Sequence, residues 1–251
     1  MSDPTNRFST KVENYVKYRP SYPPAVIALL ASECGLTPDS IIADVGSGTG
    51  IFSELLLRNG NTVYGVEPNR GMRAAATRLL QNHVSFHSID GQAEATGLSE
   101  SSVDLITAGQ AFHWFDQGPT RREFVRILRP AGWVALLWNE RLLDSTPFLR
   151  AYEELFLKYG TDYEQVRHEN VYADIASFFA GRFSLQTFSN GQIMDWEGLK
   201  GRTLSSSYVP EPNHSNYDAM LTELTQLFER NQRDGKVVIE YDTKLYYGRL
   251  D

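Results

Sequence analysis

From residue 42 to residue 50 the chain reads Ile-Ala-Asp-Val-Gly-Ser-Gly-Thr-Gly, an apolar strand running into three glycines at alternate positions. A buried strand that turns this tightly into a helix needs backbone angles that side chains resist, and glycine adopts them freely. The helix predicted next, over 51–59, aims its unpaired N–H groups and partial positive end back at the turn. A second apolar run, Thr62-Val-Tyr-Gly-Val-Glu-Pro68, closes on an acid that can accept hydrogen bonds from both hydroxyls of a ribose. Together the two segments mark the site of a nucleoside-bearing ligand.

The spacing separates one class of ligand from another. A dinucleotide fingerprint places its third glycine at position 51, where this chain has Ile51, so the pattern is G-x-G-x-G and a pyrophosphate is disfavoured. Asp44, two residues before the first glycine, puts a carboxylate where an amino-acid ammonium group is welcome. This D-x-G-x-G-x-G, followed by a strand ending in Glu-Pro, resembles motif I and the acidic motif of class I S-adenosylmethionine-dependent methyltransferases.

The resemblance implies an α/β fold: a doubly wound, seven-stranded mixed sheet of Rossmann-like type with a helical lid insertion, binding S-adenosylmethionine. In that family the loop matching Ser88-Ile-Asp-Gly-Gln-Ala-Glu94 cups the adenine, commonly with an acid where this chain has Gln92, and Asp90 or Glu94 could take the contact instead. The stretch Val103-Asp-Leu-Ile-Thr-Ala-Gly-Gln-Ala-Phe-His-Trp-Phe-Asp116 lacks the tetrapeptide of base-modifying enzymes. With Arg126-Ile-Leu-Arg-Pro-Ala-Gly132 it is similar to small-molecule enzymes of the group that includes the trans-aconitate methyltransferases. Near the start, Tyr15-Val-Lys-Tyr-Arg-Pro-Ser-Tyr-Pro23 matches a run that in such proteins packs over the cofactor as a flap. There Tyr15 and Tyr18 supply rigid amphipathic faces, and Arg19 a fork for a carboxylate, either the cofactor's own or that of an acidic substrate. The segment 199–210 also looks family-like. Cofactor contacts are thus expected from Tyr18, Arg19, Asp44, Gly46, Ser47, Gly48, Gly50, Glu67, Pro68, Gln92, Ala93, Glu94 and Gln110, and substrate contacts from Tyr15, His113, Trp114 and Tyr208.

The remaining composition narrows the partners. With 251 residues, 41% of them hydrophobic, the chain suffices for one α/β domain. A net charge of −7 with scattered lysines and arginines argues against a strong grip on nucleic acid, so the expected partner is a small methyl acceptor. The single cysteine, Cys34, cannot close an internal disulfide, and no signal-peptide pattern or membrane-spanning apolar run occurs. A cytoplasmic, reducing setting is the expectation, and oligomeric state is left open. Histidines 83, 87, 168 and 214 show no metal-ligand spacing with Cys34 or one another, so no metal site is expected.

Periodicity predicts strands over 41–45, 62–67, 84–88, 103–108 and 133–139, with helices over 23–34, 50–59, 71–81 and 121–128. Beyond 139, helices are expected over 146–159, 172–181, 196–206 and 216–231, with strands over 183–188 and 237–245. A single domain (1–251) then divides into an N-terminal flap and helix (1–40), a cofactor core (41–139), lid and substrate-facing insertions (140–215) and a closing helix and strand (216–251).

An activated methyl group mainly needs an aligned nucleophile and exclusion of water. If the nucleophile must lose a proton, His113 is the candidate base; a positioning role is the alternative. Two readings from other classes remain: a nicotinamide-dependent oxidoreductase, and a module that binds S-adenosylmethionine without turning it over.

Overall fold

A computed structural model describes residues 16–161, 163, 171–206 and 208–250. Its centre is one seven-stranded sheet in the order β3-β2-β1-β4-β5-β7-β6. The strands are β1 (Ile41–Val45), β2 (Thr62–Val66), β3 (Phe86–Ile89), β4 (Val103–Gly109), β5 (Leu128–Arg141), β6 (Phe183–Met194) and β7 (Val237–Gly248). The first five run parallel, β7 pairs antiparallel with β5, and β6 pairs antiparallel with β7. The expected doubly wound mixed sheet is therefore present. The chain reverses its direction of travel across the sheet between β1 and β4, and ligands in such sheets bind at the strand ends beside that crevice.

Parallel strands buried on both faces read as continuous apolar runs, and β1 is the clearest instance. Its residues alternate between two cores. Ala43 and Val45 join Ile106, Ala108, Leu136 and Trp138 on one face, whereas Ile42 joins Val63, Leu105 and Leu137 on the other. Helices α1 (Ala25–Cys34) and α2 (Ile51–Arg58) cover the second face through Val26, Leu30, Phe52 and Leu56. Gly35, left-handed at φ 69°, ends α1 as a C-cap glycine should. Helix α3 (Arg70–Leu79) follows β2 on an Asn69 cap, the side chain accepting the Met72 N–H at 3.0 Å. The first face is covered by α4 (Gln117–Ile127) through Phe124 and Ile127.

A third cluster lies apart from the sheet centre. Helices α5 (Pro147–Tyr159), α7 (Trp196–Leu204) and α8 (Tyr217–Asn231) pack together on Met194, Val237, Ile239 and Tyr241, where β6 ends and β7 begins. This is the helical insertion. Helix α8, expected only as a closing element, belongs to it. Helix α6 (Val171–Phe178), expected in the lid, instead adds Ile175 and Phe178 to the core around Phe124 and Trp138. Edge-to-face contacts of Phe178 with Phe112, 4.9 Å between centroids, hold it there.

Several boundaries differ from the sequence expectation. Helix α4 starts at Gln117 because Pro119 falls in the first turn, where its missing N–H costs nothing. Strand β5 begins at Leu128, before a break in register at Arg129-Pro130-Ala131-Gly132 with Ala131 at φ 64°. Strand β6 runs to Met194 through Ser189-Asn190-Gly191, which reads as a turn. There the Asn190 amide donates to Ser21 O at 2.8 Å, so a tertiary bond outweighs the local turn preference.

Candidate active site

Strand β1 delivers the chain into the glycine turn, and all three glycines have left-handed backbones: Gly46 at φ 67°, Gly48 at 57° and Gly50 at 86°. They answer to different constraints. A Cβ on Gly46 would lie 2.5 Å from the Ala111 Cβ, and one on Gly50 would lie 2.6 Å from Leu80 Cδ1, so these two permit close packing. A Cβ on Gly48 would meet nothing within 4 Å, because that glycine faces open space. Gly46 N–H and Ser47 N–H both donate to Val66 O, at 2.8 and 3.2 Å, and tie the turn to β2.

The two acids sit at the ends of β1 and β2. Asp44 is buried, and its oxygens accept the Ser53 hydroxyl at 2.6 Å and the Thr107 hydroxyl at 2.8 Å. Burial pushes its pKa up to about 6, against the pull of those two hydroxyls. The carboxylate thereby braces α2 and β4 against β1. Glu67 accepts the Gly48 N–H at 3.0 Å and the Asn69 N–H at 2.8 Å, joining the glycine turn to the start of α3. Burial raises its pKa as well, with the two N–H groups opposing that shift.

Two cavities meet over this turn, sharing Gly46, Gly48, Gly109 and Gln110 as walls. The larger, of about 310 Å³, is bounded by Glu67, Pro68, Asn69 and Met72 on one side and by Gln92, Ala93, Glu94, Ala111, Trp114, Phe115 and Asp116 on the other. The smaller, of about 70 Å³, is bounded by Arg19, Pro20, Tyr22, Asp44, Ser47, Thr49, Ile51, Phe52, Asn139 and Arg202. Thr49 Oγ1 is buried there without a hydrogen-bond partner among the described residues, leaving a polar atom for a ligand to satisfy. Gln110, at the junction, holds the uncommon φ of 56°, pinned by its N–H to Leu137 O at 2.8 Å and its side-chain amide to Asn139 O at 3.1 Å.

The expected site residues separate accordingly. Arg19, Asp44 and Ser47 line the smaller cavity, while Glu67, Pro68, Gln92, Ala93, Glu94 and Trp114 line the larger. Gly50 lies behind the turn against Leu80 and walls neither cavity. His113 also walls neither; its ring packs 4.8 Å from that of Trp114 on a short 3-10 turn, Phe112–Trp114, anchored by buried Phe112. Tyr18 lies against Gly201 of α7, where a Cβ would come within 2.0 Å of its ring. Tyr208 packs on Phe156 and Tyr163, with ring centroids 5.2 and 4.7 Å away, in the core of the helical insertion. Tyr15 lies outside the described residues. Of the three adenine-loop candidates, Asp90 turns to Arg73 at 2.7 Å and Glu94 accepts the Asp116 N–H at 2.8 Å. The Gln92 side chain has no hydrogen bond among the described residues and stands at the cavity edge.

Tyr22, Met72, Phe115, Asn139 and Arg202 were not predicted as site residues. Tyr22 is inside the N-terminal aromatic run, and its hydroxyl closes over Gly109. Met72 is detectable as the apolar residue of the first α3 turn after a capping Asn69. Arg202 sits in the segment 199–210, which has nothing local to mark it as a wall of this site.

Residues 43–136, from β1 to β5, match the family model of the methyltransferase domain. An uncharacterised methyltransferase of Schizosaccharomyces pombe is 30% identical over 252 residues, an alignment covering 95% of this chain and 95% of the relative. The chain belongs to the class I S-adenosylmethionine-dependent methyltransferases. A second methyltransferase-like protein of the same yeast is 26% identical over 243 residues, covering 95% of this chain and 93% of its own. Among solved structures, a protein assigned as a type II methyltransferase of Anaeromyxobacter dehalogenans shares the fold, with a TM-score of 0.63 at 19% identity over 93% of this chain and 98% of that one. The turn and cavities of this methyltransferase leave room for such a donor: Gly48 permits close approach, Glu67 lines the larger cavity, and Thr49 Oγ1 has no hydrogen-bond partner among the described residues. No helix among the described residues is long and apolar enough to cross a membrane.

Proposed function

We propose that the larger cavity takes the adenosyl half of S-adenosylmethionine, the smaller takes its amino-acid end, and the acceptor is a small molecule meeting the methyl group beside Gln110. The observation that carries this reading is the meeting of the two cavities on Gly48, the glycine that packing leaves open. Glu67 would receive the ribose hydroxyls, and Met72 and Ala93 would flank the adenine, with Gln92 offering its amide to the base. Backbone groups of the turn and the floor around Asp44 suit an ammonium group, and Arg19 a carboxylate. Once bound, the sulfonium supplies a methyl group that is already activated. The protein then has to align the nucleophile and keep out water, which Tyr22, Gln110 and Asn139 are placed to do. No histidine lines either cavity among the described residues, so an acceptor that needs no deprotonation fits best.

Calorimetric titration separates this reading from the oxidoreductase. S-adenosylhomocysteine is expected to bind and a nicotinamide dinucleotide is not; the reverse result rejects the assignment of the cavities. A screen of small acids, phenols and amines for a gain of one methyl group by mass separates an enzyme from a binding module.

A further inference from the structure

The sheet has two outer edges, and the sequence finishes them differently. Strand β3 is four residues long and runs straight into Asp90, which pairs with Arg73 at 2.7 Å, so that edge is short and ends in a charge, as sheet edges usually do. Strand β6 forms the other edge with twelve residues, Phe183–Met194, and among the described residues no strand lies on its outer side. Its register with β7 is unbroken over all twelve, so no bulge turns the edge away. The strand reads Phe-Ser-Leu-Gln-Thr-Phe-Ser-Asn-Gly-Gln-Ile-Met, without a proline and without a charged residue, in a chain of which 22% is charged. At about 3.4 Å per residue it presents about 40 Å of backbone N–H and C=O groups, with none of the usual guards against a further strand.

The side chains suit a second copy of the same strand. Leu185 and Ile193, 43% and 72% exposed, share a sheet face with Ser189 and stand four residues to either side of it. A two-fold axis through Ser189, normal to the sheet, lays the second β6 antiparallel to the first and sets Leu185 of each copy opposite Ile193 of the other. On β7, Val238 lies beside Ile193 and Tyr246 beside Leu185, so a row of Val238, Ile193, Leu185 and Tyr246 crosses the join on each side of the axis. Apolar cross-strand pairs of this kind stabilise neighbouring strands. The ends agree: Arg182 precedes the strand and Asp195 follows it, so antiparallel pairing brings opposite charges together, whereas parallel pairing sets like against like. Between them the join is uncharged, which lets a chain of net charge −7 meet its own copy there.

We infer that β6 is the interface of a homodimer in which two chains join their sheets edge to edge into one continuous sheet. The opposite face of β6 belongs to the candidate site: Asn190 donates to Ser21 O at 2.8 Å and to Asn139 Oδ1 at 3.1 Å, and Gln192 donates to Tyr18 O at 3.1 Å. Pairing along the backbone therefore stiffens the strand on which the N-terminal segment rests. Substitutions that test the join stay on the Ser189 face.

The test uses the full chain and three variants, Ser189→Lys, Ser189→Cys and Thr187→Cys, each first checked for a wild-type circular dichroism spectrum. Sedimentation velocity over a range of concentrations should give a wild-type dimer. Ser189→Lys sets two like charges against each other on the axis and should raise the dimer dissociation constant at least about tenfold. Under a mild oxidant such as diamide, Ser189→Cys should form a disulfide-linked dimer, because residues paired across the axis have Cα atoms about 4.5–5.5 Å apart. Thr187→Cys is the control on the same strand and face; its two copies would stand about 14 Å apart, beyond disulfide reach. Hydrogen exchange of the β6 amides should quicken when wild type is diluted. Ser189→Cys carries the test should the lysine variant fail to fold. A wild type that is monomeric at every concentration overturns the inference, and β6 amides that stay protected in that monomer would assign the edge to another segment of this chain. A dimer indifferent to Ser189→Lys overturns it as well, by placing the interface elsewhere. So does a Ser189→Cys chain that cross-links no faster than Thr187→Cys.

Discussion

Replacing Gly48 with alanine separates folding from ligand binding at the glycine turn. The new methyl group meets nothing within 4 Å, so its cost to folding is the left-handed backbone at φ 57° alone, about 1–2 kcal/mol for an L-residue. In a protein of 251 residues each kcal/mol lowers Tm by about 2–4 °C, so the variant should remain folded at room temperature. Binding responds differently. The methyl group projects where the two cavities join, the place that the proposed ligand must cross closely. S-adenosylhomocysteine affinity should fall at least about 100-fold, or about 2.7 kcal/mol. Gly46→Ala is the matched control, since its Cβ would sit 2.5 Å from Ala111 and 3.4 Å from Phe115. Overpacking of about 1–3 kcal/mol then adds to the backbone cost, and the main loss is in stability. Thermal melts and calorimetry on both variants give the comparison. A Gly48→Ala protein that binds S-adenosylhomocysteine as tightly as wild type would show that the ligand does not pass over this turn.

Other expectations follow from the same contacts. Asp44, raised to about 6 by burial, takes up a proton on folding between about pH 4 and 6, so stability present below pH 4 is lost as pH rises through 6, by up to about 3 kcal/mol. Asp44→Asn should flatten that slope in urea unfolding series between pH 4.5 and 6.5; Glu67, raised by burial, acts with the same sign, and Glu123, lowered to about 2, acts with opposite sign below this range. Glu67→Gln sets an amide N–H against a backbone N–H of Gly48 or Asn69, and should weaken S-adenosylhomocysteine by about 1.5–3 kcal/mol; unchanged affinity would remove Glu67 from the ribose contact. His113→Gln should leave turnover within a few-fold, whereas a loss of more than about 100-fold with donor binding intact would support the general-base role. Burial pushes the Cys34 thiol up to about 12, so iodoacetamide at pH 8 should label the folded protein far more slowly than the urea-unfolded chain, as mass spectrometry would reveal.

The donor half of the site was readable because its signals are local. Asp44, the glycine turn and Glu67 lie within 24 residues of one another, and each sits at the end of a strand whose continuous apolar run announces burial. Role proved harder to read than position. Asp44 lines the smaller cavity, and its oxygens also accept internal hydroxyls, one from Thr107 on β4, 63 residues away, a bracing role that its spacing from the glycines does not announce. Of the aromatic run after β4, Phe112 went to the core, Trp114 to the cavity and His113 to neither, a division fixed by the turn geometry that no spacing rule contains.

The far wall of the smaller cavity was not readable, because its contacts join distant parts of the chain. Arg19 reaches Ser205 across 186 positions, Gln192 reaches Tyr18 across 174, and Arg202 reaches Tyr241 through a strand whose neighbour, β6, hides behind a turn-like Ser189-Asn190-Gly191. This division has a physical consequence. Among the described residues every wall of the larger cavity falls within 46–116, whereas Arg202, a wall of the smaller one, is mounted on α7 and braced by Tyr241, with Tyr152 holding the adjacent Thr203. Substitutions on α7 are therefore expected to change the smaller cavity while sparing the larger, and comparing the affinities of S-adenosylhomocysteine and of 5′-methylthioadenosine, which lacks the amino-acid end, across variants such as Arg202→Lys measures how far the two are separable. A fall in both together, in a variant that melts like wild type, would show that the larger cavity also depends on α7.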